Sequence, residues 1–123
     1  MKSGAIFLTR EICVGRFRAN WCGPCRKENP HLVKTYHGFH AKGFEILHVS
    51  IDVEKDRDKW LKAIKQDKLT WFQVIAPEGW EADVVKQYGI MGIPMNFLLN
   101  KEGKIIAKGL RGDVLERKLK EIL

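Results

Sequence analysis

Cys22 and Cys25 are separated by two residues in the run Trp21-Cys22-Gly23-Pro24-Cys25-Arg26 of a 123-residue chain. Thiols at that spacing suit thiol–disulfide exchange, half of a zinc site, or passive burial. Exchange requires a thiolate, and a free thiol with pKa ~8.5 is mostly protonated at neutral pH. A helix N-terminus offsets this, because its unpaired N–H groups and positive dipole end stabilise an anion. Cys22 is therefore the candidate attacking thiol. Cys25, one turn later, is the candidate resolving thiol, able to attack a mixed disulfide and release the substrate. Pro24 is tolerated in a first helical turn, where its missing N–H has no helical partner. Trp21, Gly23 and Pro24 count as supports of the pair.

A zinc reading would draw on His31, His37, His40 or His48, but no second C-x-x-C pair accompanies the first. Pro between the cysteines and Trp before them fit a redox helix better, so no metal is expected. A Gly-Pro turn beside a Trp is also a poor place for inert thiols. Cys13, between Ile12 and Val14, reads as a small core residue. His37 and His40, three apart, read as solvated positions, and Trp60, Trp71 and Trp80 as core or half-buried aromatics.

The elements that must hold the pair follow from periodicity. Ile12 to Ala19 reads as a strand entering a turn. From Gly23 to about Lys42, Leu32, Val33, Tyr36 and Phe39 recur at helical spacing, with Pro30 as an internal kink. Phe44 to Val53 is apolar on both faces, as a covered central strand would be. Asp56 to Lys68 reads as a helix with Trp60, Leu61 and Ile64 on one stripe. A short strand near Trp71 to Ile75 follows, then a helix carrying Trp80, Val84, Val85 and Tyr88. Met95 to Leu99 and Lys104 to Lys108 form a hairpin. Asp113 is the expected cap of a last helix whose Leu115, Leu119 and Ile122 face inward. Alternating strands and helices ending in a hairpin and helix predict an α/β sandwich with a mixed sheet.

Composition narrows the classes further. Lys and Arg total 22 against 15 Asp and Glu, a net charge of +7, but the positive residues are scattered. The densest group, Arg16, Arg18, Arg26 and Lys27, is broken by apolar and turn residues, and no nucleic-acid motif accompanies it. No apolar run approaches the roughly eighteen residues of a membrane helix. The stretch Ala5 to Leu8 is too short for a secretory h-region. Such a length suits one domain, 1–123, burying roughly 65% of its unfolded surface.

The run Trp21 to Arg26 resembles the active-site signature of the thioredoxin superfamily, and Gly92-Ile93-Pro94 resembles its cis-proline loop. The resemblance implies a cis bond before Pro94, which packs on the dithiol, and an Ile93 backbone that pairs with bound substrate. Cys25-Arg26-Lys27-Glu28-Asn29-Pro30 is similar to the Cys-x-x-Glu-x-Pro run of TlpA/ResA-like (AhpC/TSA-type) thiol–disulfide oxidoreductases. Asp52 to Gly89, with an extra helix ahead of the Trp80 helix, resembles their mid-chain insertion. The resemblance covers about Phe17 to Leu123, leaving 1–16 as an atypical lead-in. It implies a thioredoxin-like three-layer sandwich with a mixed central sheet, a C-terminal hairpin plus helix, and the inserted helix. It also implies that Glu28 lies near the dithiol and assists proton transfer, since a carboxylate there can accept the resolving thiol's proton. The competing reading of Glu28 is a solvated helix residue.

Departures from the pattern sit beside the motif. Arg16 stands where thioredoxins carry a buried acid, and Arg18 where the family usually has Trp. Near Cys22 either would favour the thiolate; pointing outward, neither would. Met95 and Asn96 replace the polar residues that often follow the cis proline. The resemblance implies a redox-active Cys22–Cys25 disulfide with no other cofactor, exchanging with protein disulfides and most simply as a reductant. Its partners would be protein substrates and an upstream thiol reductase, with no nucleic acid, and the chain a monomer. A peroxiredoxin is the second reading, disfavoured because Ala19 stands where Thr or Ser would precede the reactive Cys. A thioredoxin-like binding module with a vestigial dithiol is the third. The family implies an extracytoplasmic or periplasmic setting, with this chain a trimmed fragment; a cytoplasmic protein with a divergent start is the alternative.

Overall fold

Ile12–Arg18 forms strand β1, all seven residues buried, at the centre of the sheet. In the computed structural model, which describes residues 11–123, β1 is followed by helix α1 (Gly23–Phe39) and strand β2 (Phe44–Ser50). Helix α2 (Arg57–Gln66), strand β3 (Phe72–Ile75) and a short helix α3 (Asp83–Gln87) come next. Strands β4 (Met95–Asn100) and β5 (Ile105–Lys108) and helix α4 (Asp113–Ile122) complete the chain. The sheet order is β3-β2-β1-β4-β5. β1, β2 and β3 run parallel, and β4 and β5 join antiparallel, so the sheet is mixed. The stretch Ala5 to Leu8 and most of the lead-in lie outside the described residues.

Strand alternation sorts the core onto two faces. Cys13 and Phe17 join Leu47, Val49, Val85, Ile90, Phe97 and Leu99 on one face. Ile12 and Val14 join Phe44, Ile46, Leu98, and Leu32, Phe39, Leu115 and Leu119 of α1 and α4 on the other. Towards the C-terminal ends of the strands this second face changes character. Register places Arg16 beside His48 and Arg18 beside Ser50, so buried polar groups replace the aliphatic ones. Gly43 closes the 3-10 turn His40–Lys42 at φ 100° and leads into β2. A Cβ there would stand 2.9 Å from Glu11 Cγ, so both conformation and space call for glycine.

Several expected details are corrected. Asp113 is the first residue of α4, and its N-cap is Gly112, which offers no side-chain oxygen. Ile122, the last residue of α4, is partly exposed, as is Leu61 of α2, leaving Trp60 and Ala63 as the buried residues of α2. The expected helix around Trp80 is a 3-10 turn, Gly79–Glu81, and then α3, separated by an extended Ala82; Trp80 itself is exposed. α1 continues through Pro30, whose ring lies on the exposed side of the helix. The inserted segment supplies an edge strand, β3, as well as the extra helix α2.

Candidate active site

β1 ends at Arg18, and Ala19 to Trp21 turn the chain into α1. Cys22 is the N-cap of α1, in extended conformation, and its Sγ accepts a hydrogen bond from Cys25 N at 3.1 Å. Cys22 and Cys25 are joined as a disulfide with Cα atoms 5.2 Å apart. Cys25 is fully buried and Cys22 retains 4% exposure. Trp21, directly before the pair, is 55% exposed. Gly23 opens the helix, with nothing near the place of a Cβ, and Pro24 occupies its first turn. Phe17 on β1 pairs with Met95 on β4, which brings the segment before β4 to the strand end that carries the dithiol. The Ile93–Pro94 peptide in that segment is cis. Ile93 packs against the apolar cluster containing both cysteines.

Beneath the N-terminal half of α1 lies a polar layer that sequence reading did not assemble. Arg16 and Arg18 are both wholly buried. Arg16 Nη2 donates to the Cys25 carbonyl and to Glu28 Oε1, each at 3.0 Å, and Nη1 donates to Asn29 Oδ1 at 3.0 Å. Nη1 also lies 3.1 Å from His48 Nε2. A guanidinium can only donate, so Nε2 is the acceptor and the ring's proton sits on Nδ1. Burial first, and the charges of Arg16 and Arg18 next, hold the His48 imidazole well below its ordinary range. Burial pulls Arg16 down to about 10 against the support of Glu28, so it stays cationic at neutral pH.

Glu28 faces inward, with 11% of its side chain exposed. Its Oε1 is taken by Arg16, and its Oε2 accepts from Gly112 N at 3.1 Å and lies 3.8 Å from Arg111 Nε. The loop before α4 is therefore tied to α1 at the residue three beyond Cys25. Arg18 donates from Nη1 to Ser50 Oγ at 2.9 Å. Burial works against its charge, and Asp52 and Asp67 support it. Asp67 is also partly desolvated, yet hydrogen bonds from Arg26 and Asn29 hold its carboxyl below the usual range. Asp52 accepts from the backbone N–H and the side-chain amide of Asn20, anchoring the turn ahead of the dithiol.

The signal for this layer is strand parity. Arg16 and Arg18 share the side of Ile12 and Val14, and His48 shares that of Phe44 and Ile46, so all three belong on a core face. Charged residues at core positions must find partners. Cys13, by contrast, is an isolated core thiol, pushed up to about 12 by burial and then by Glu45. Among the described residues no three His, Cys, Asp or Glu side chains converge as a metal set.

A disulfide-forming pair at the start of the helix that leaves the middle strand, on a sheet of this order, marks a thioredoxin-like fold. Solved structures of that class superpose closely. The thioredoxin domain of a thiol-disulfide oxidoreductase from Bacteroides vulgatus gives a TM-score of 0.83 at 39% identity, covering 93% of this chain and 80% of that one. A thiol-disulfide oxidoreductase from Bacteroides fragilis gives 0.84 at 38% identity, covering 92% and 82%. The chain belongs to the AhpC/TSA family, whose model matches residues 10–108. It is 33% identical over 107 residues to the thiol-disulfide oxidoreductase ResA of Bacillus thuringiensis subsp. konkukian. That match takes in 87% of this chain and 58% of ResA, so the chain spans a little over half the length of that relative.

Proposed function

We propose that the protein is a thiol–disulfide oxidoreductase that cycles Cys22 and Cys25 between dithiol and disulfide and acts on protein disulfides as a reductant. The carrying observation is the Cys22–Cys25 disulfide at the N-terminus of α1, with Cys25 sealed and Cys22 the more accessible sulfur. In this reading the Cys22 thiolate attacks a substrate disulfide, one substrate sulfur leaves as a thiol, and a mixed disulfide remains. Cys25 loses its proton, attacks Cys22 Sγ and releases the second substrate thiol. No group beyond the two sulfurs carries electrons. Glu28 is the residue assigned to that proton, because each of its oxygens keeps a lone pair after its present bonds. The Ile93 backbone, next to Pro94, receives the substrate segment, and exposed Trp21 offers it an apolar contact. A monomer re-reduced by an upstream thiol reductase, outside the cytoplasm, completes the proposal by analogy with the family.

Insulin reduction with dithiothreitol as electron source tests it. Wild type accelerates precipitation, Cys22→Ser abolishes the acceleration, and Cys25→Ser accumulates mixed disulfide. Peroxide consumption without a partner protein would support a peroxidase instead, a reading that Ala19 disfavours. An unperturbed Cys22 titration without turnover would leave a binding module.

A further inference from the structure

Arg16 is wholly buried and donates from one nitrogen to both the Cys25 carbonyl and Glu28 Oε1. Covalent geometry keeps a cysteine sulfur within about 5 Å of its own carbonyl oxygen, so the guanidinium lies within about 8 Å of Cys25 Sγ. Little water screens a charge at such depth. The groups that face Arg16 come from every neighbouring element. They are Arg18 on β1, Glu28 on α1, His48 on β2 and Arg111 before α4, with Asp52, Asp67 and Arg26 beyond Arg18. His48 is neutral, leaving Arg16, Arg18, Arg26 and Arg111 against Glu28, Asp52 and Asp67, an excess of one positive charge. The disulfide carries no charge, whereas the reduced pair becomes an anion when one thiol ionises.

We propose that buried Arg16 is an electrostatic positioning residue, stabilising the thiolate of the reduced dithiol and thereby drawing the couple towards the reduced protein. This deepens the oxidoreductase reading and rests on it; Arg16 makes the protein a milder reductant than an uncharged residue in its place would. In reduction by two glutathione thiols, the Cys22–Cys25 bond breaks and one disulfide forms between the glutathiones. Two electrons pass to the pair with two protons, one of which is shed to solvent as the thiolate forms.

Arg16→Met keeps length and removes charge. The first ionisation of the dithiol, followed by thiolate absorbance and alkylation rate, is expected to rise by about one pH unit. At a pH above that ionisation in both proteins, the equilibrium with glutathione moves about tenfold towards the disulfide, about 30 mV. Arg16→Lys restores most of the shift. Glu28→Gln removes the counter-charge and moves the ionisation down. Opposite signs in the two variants are what a merely structural role would not produce. Unmoved ionisations, or shifts of one sign in both, overturn the proposal. If Arg16→Met fails to fold, Arg16→Gln, which drops the charge but keeps an N–H donor, is read in its place: an upward shift supports, an unmoved or downward one overturns. Wild-type insulin reduction separates the two readings. Normal turnover with unmoved ionisations sinks Arg16 alone, and absent turnover sinks the oxidoreductase reading while the shifts still judge Arg16.

Discussion

His48 is a titratable ring with no room for a second proton. It is fully buried, accepts from Arg16 through Nε2, and packs edge-on against Trp71 at 5.2 Å between ring centroids. Protonation would abolish the acceptor and set a third cation beside Arg16 and Arg18. In the unfolded chain the same imidazole titrates near 6.5. Its folded pKa is depressed, so its stabilising effect is complete above about pH 6.5 and is lost as the unfolded state gains the proton below that value. The expected loss is about 1.4 kcal/mol per pH unit once below the unfolded pKa. Urea midpoints at pH 7 and pH 5 should differ in wild type and converge in His48→Gln, whose amide oxygen can still accept from Arg16. Equal slopes in the two proteins would remove His48 from the account.

Asn96 does the work of a turn between elements that are distant in sequence. From buried β4 its amide donates to Leu110 O at 2.7 Å and its carbonyl accepts from Leu110 N at 2.9 Å. Two residues on, Gly112 N donates to Glu28. The loop between β5 and α4 is thus fastened at both ends, to β4 and to the dithiol helix. Asn96→Ala leaves the two Leu110 groups without partners and should cost about 1–3 kcal/mol, read from the urea midpoint. Asn96→Asp keeps one acceptor but sets a buried carboxylate oxygen against the Leu110 carbonyl, and should cost at least as much. This link also marks where sequence reading stopped. Cys22, Cys25 and the α1 N-terminus were legible because spacing and periodicity are local, and β2 because a run apolar on both faces reads as a covered strand. The partners of Glu28 were not, since Gly112 lies 84 residues away and only the packing of α4 against α1 brings it near. Arg16 was visible as an oddity, but its burial depends on α1 covering that face of the sheet. An acidic residue such as Asp113 suits both the N-cap and the first helical turn, and spacing alone does not separate the two.

On the scale of the whole molecule, the apolar core on one face of the sheet reaches the dithiol at the strand ends, and the core on the other face ends in the Arg16 layer beneath α1. The +7 balance therefore carries less meaning than the placement of two of its contributors inside the protein. Folding and redox equilibria are linked through that placement. In the unfolded chain no buried cation adjoins Cys22 and Cys25, so Arg16→Met leaves the unfolded dithiol unchanged. An about tenfold change in the folded redox equilibrium must then reappear as about 1.4 kcal/mol in the stability difference between oxidised and reduced protein. The sign is set: the reduced variant loses stability relative to the oxidised one. Any packing cost of placing methionine in the arginine site falls on both states and cancels in the difference. Urea denaturation with and without reductant, at a pH above the dithiol ionisation, measures one side of this cycle, and glutathione equilibration measures the other. Agreement between them places the effect of Arg16 in the folded reduced state. A redox shift with an unchanged stability difference would place it elsewhere.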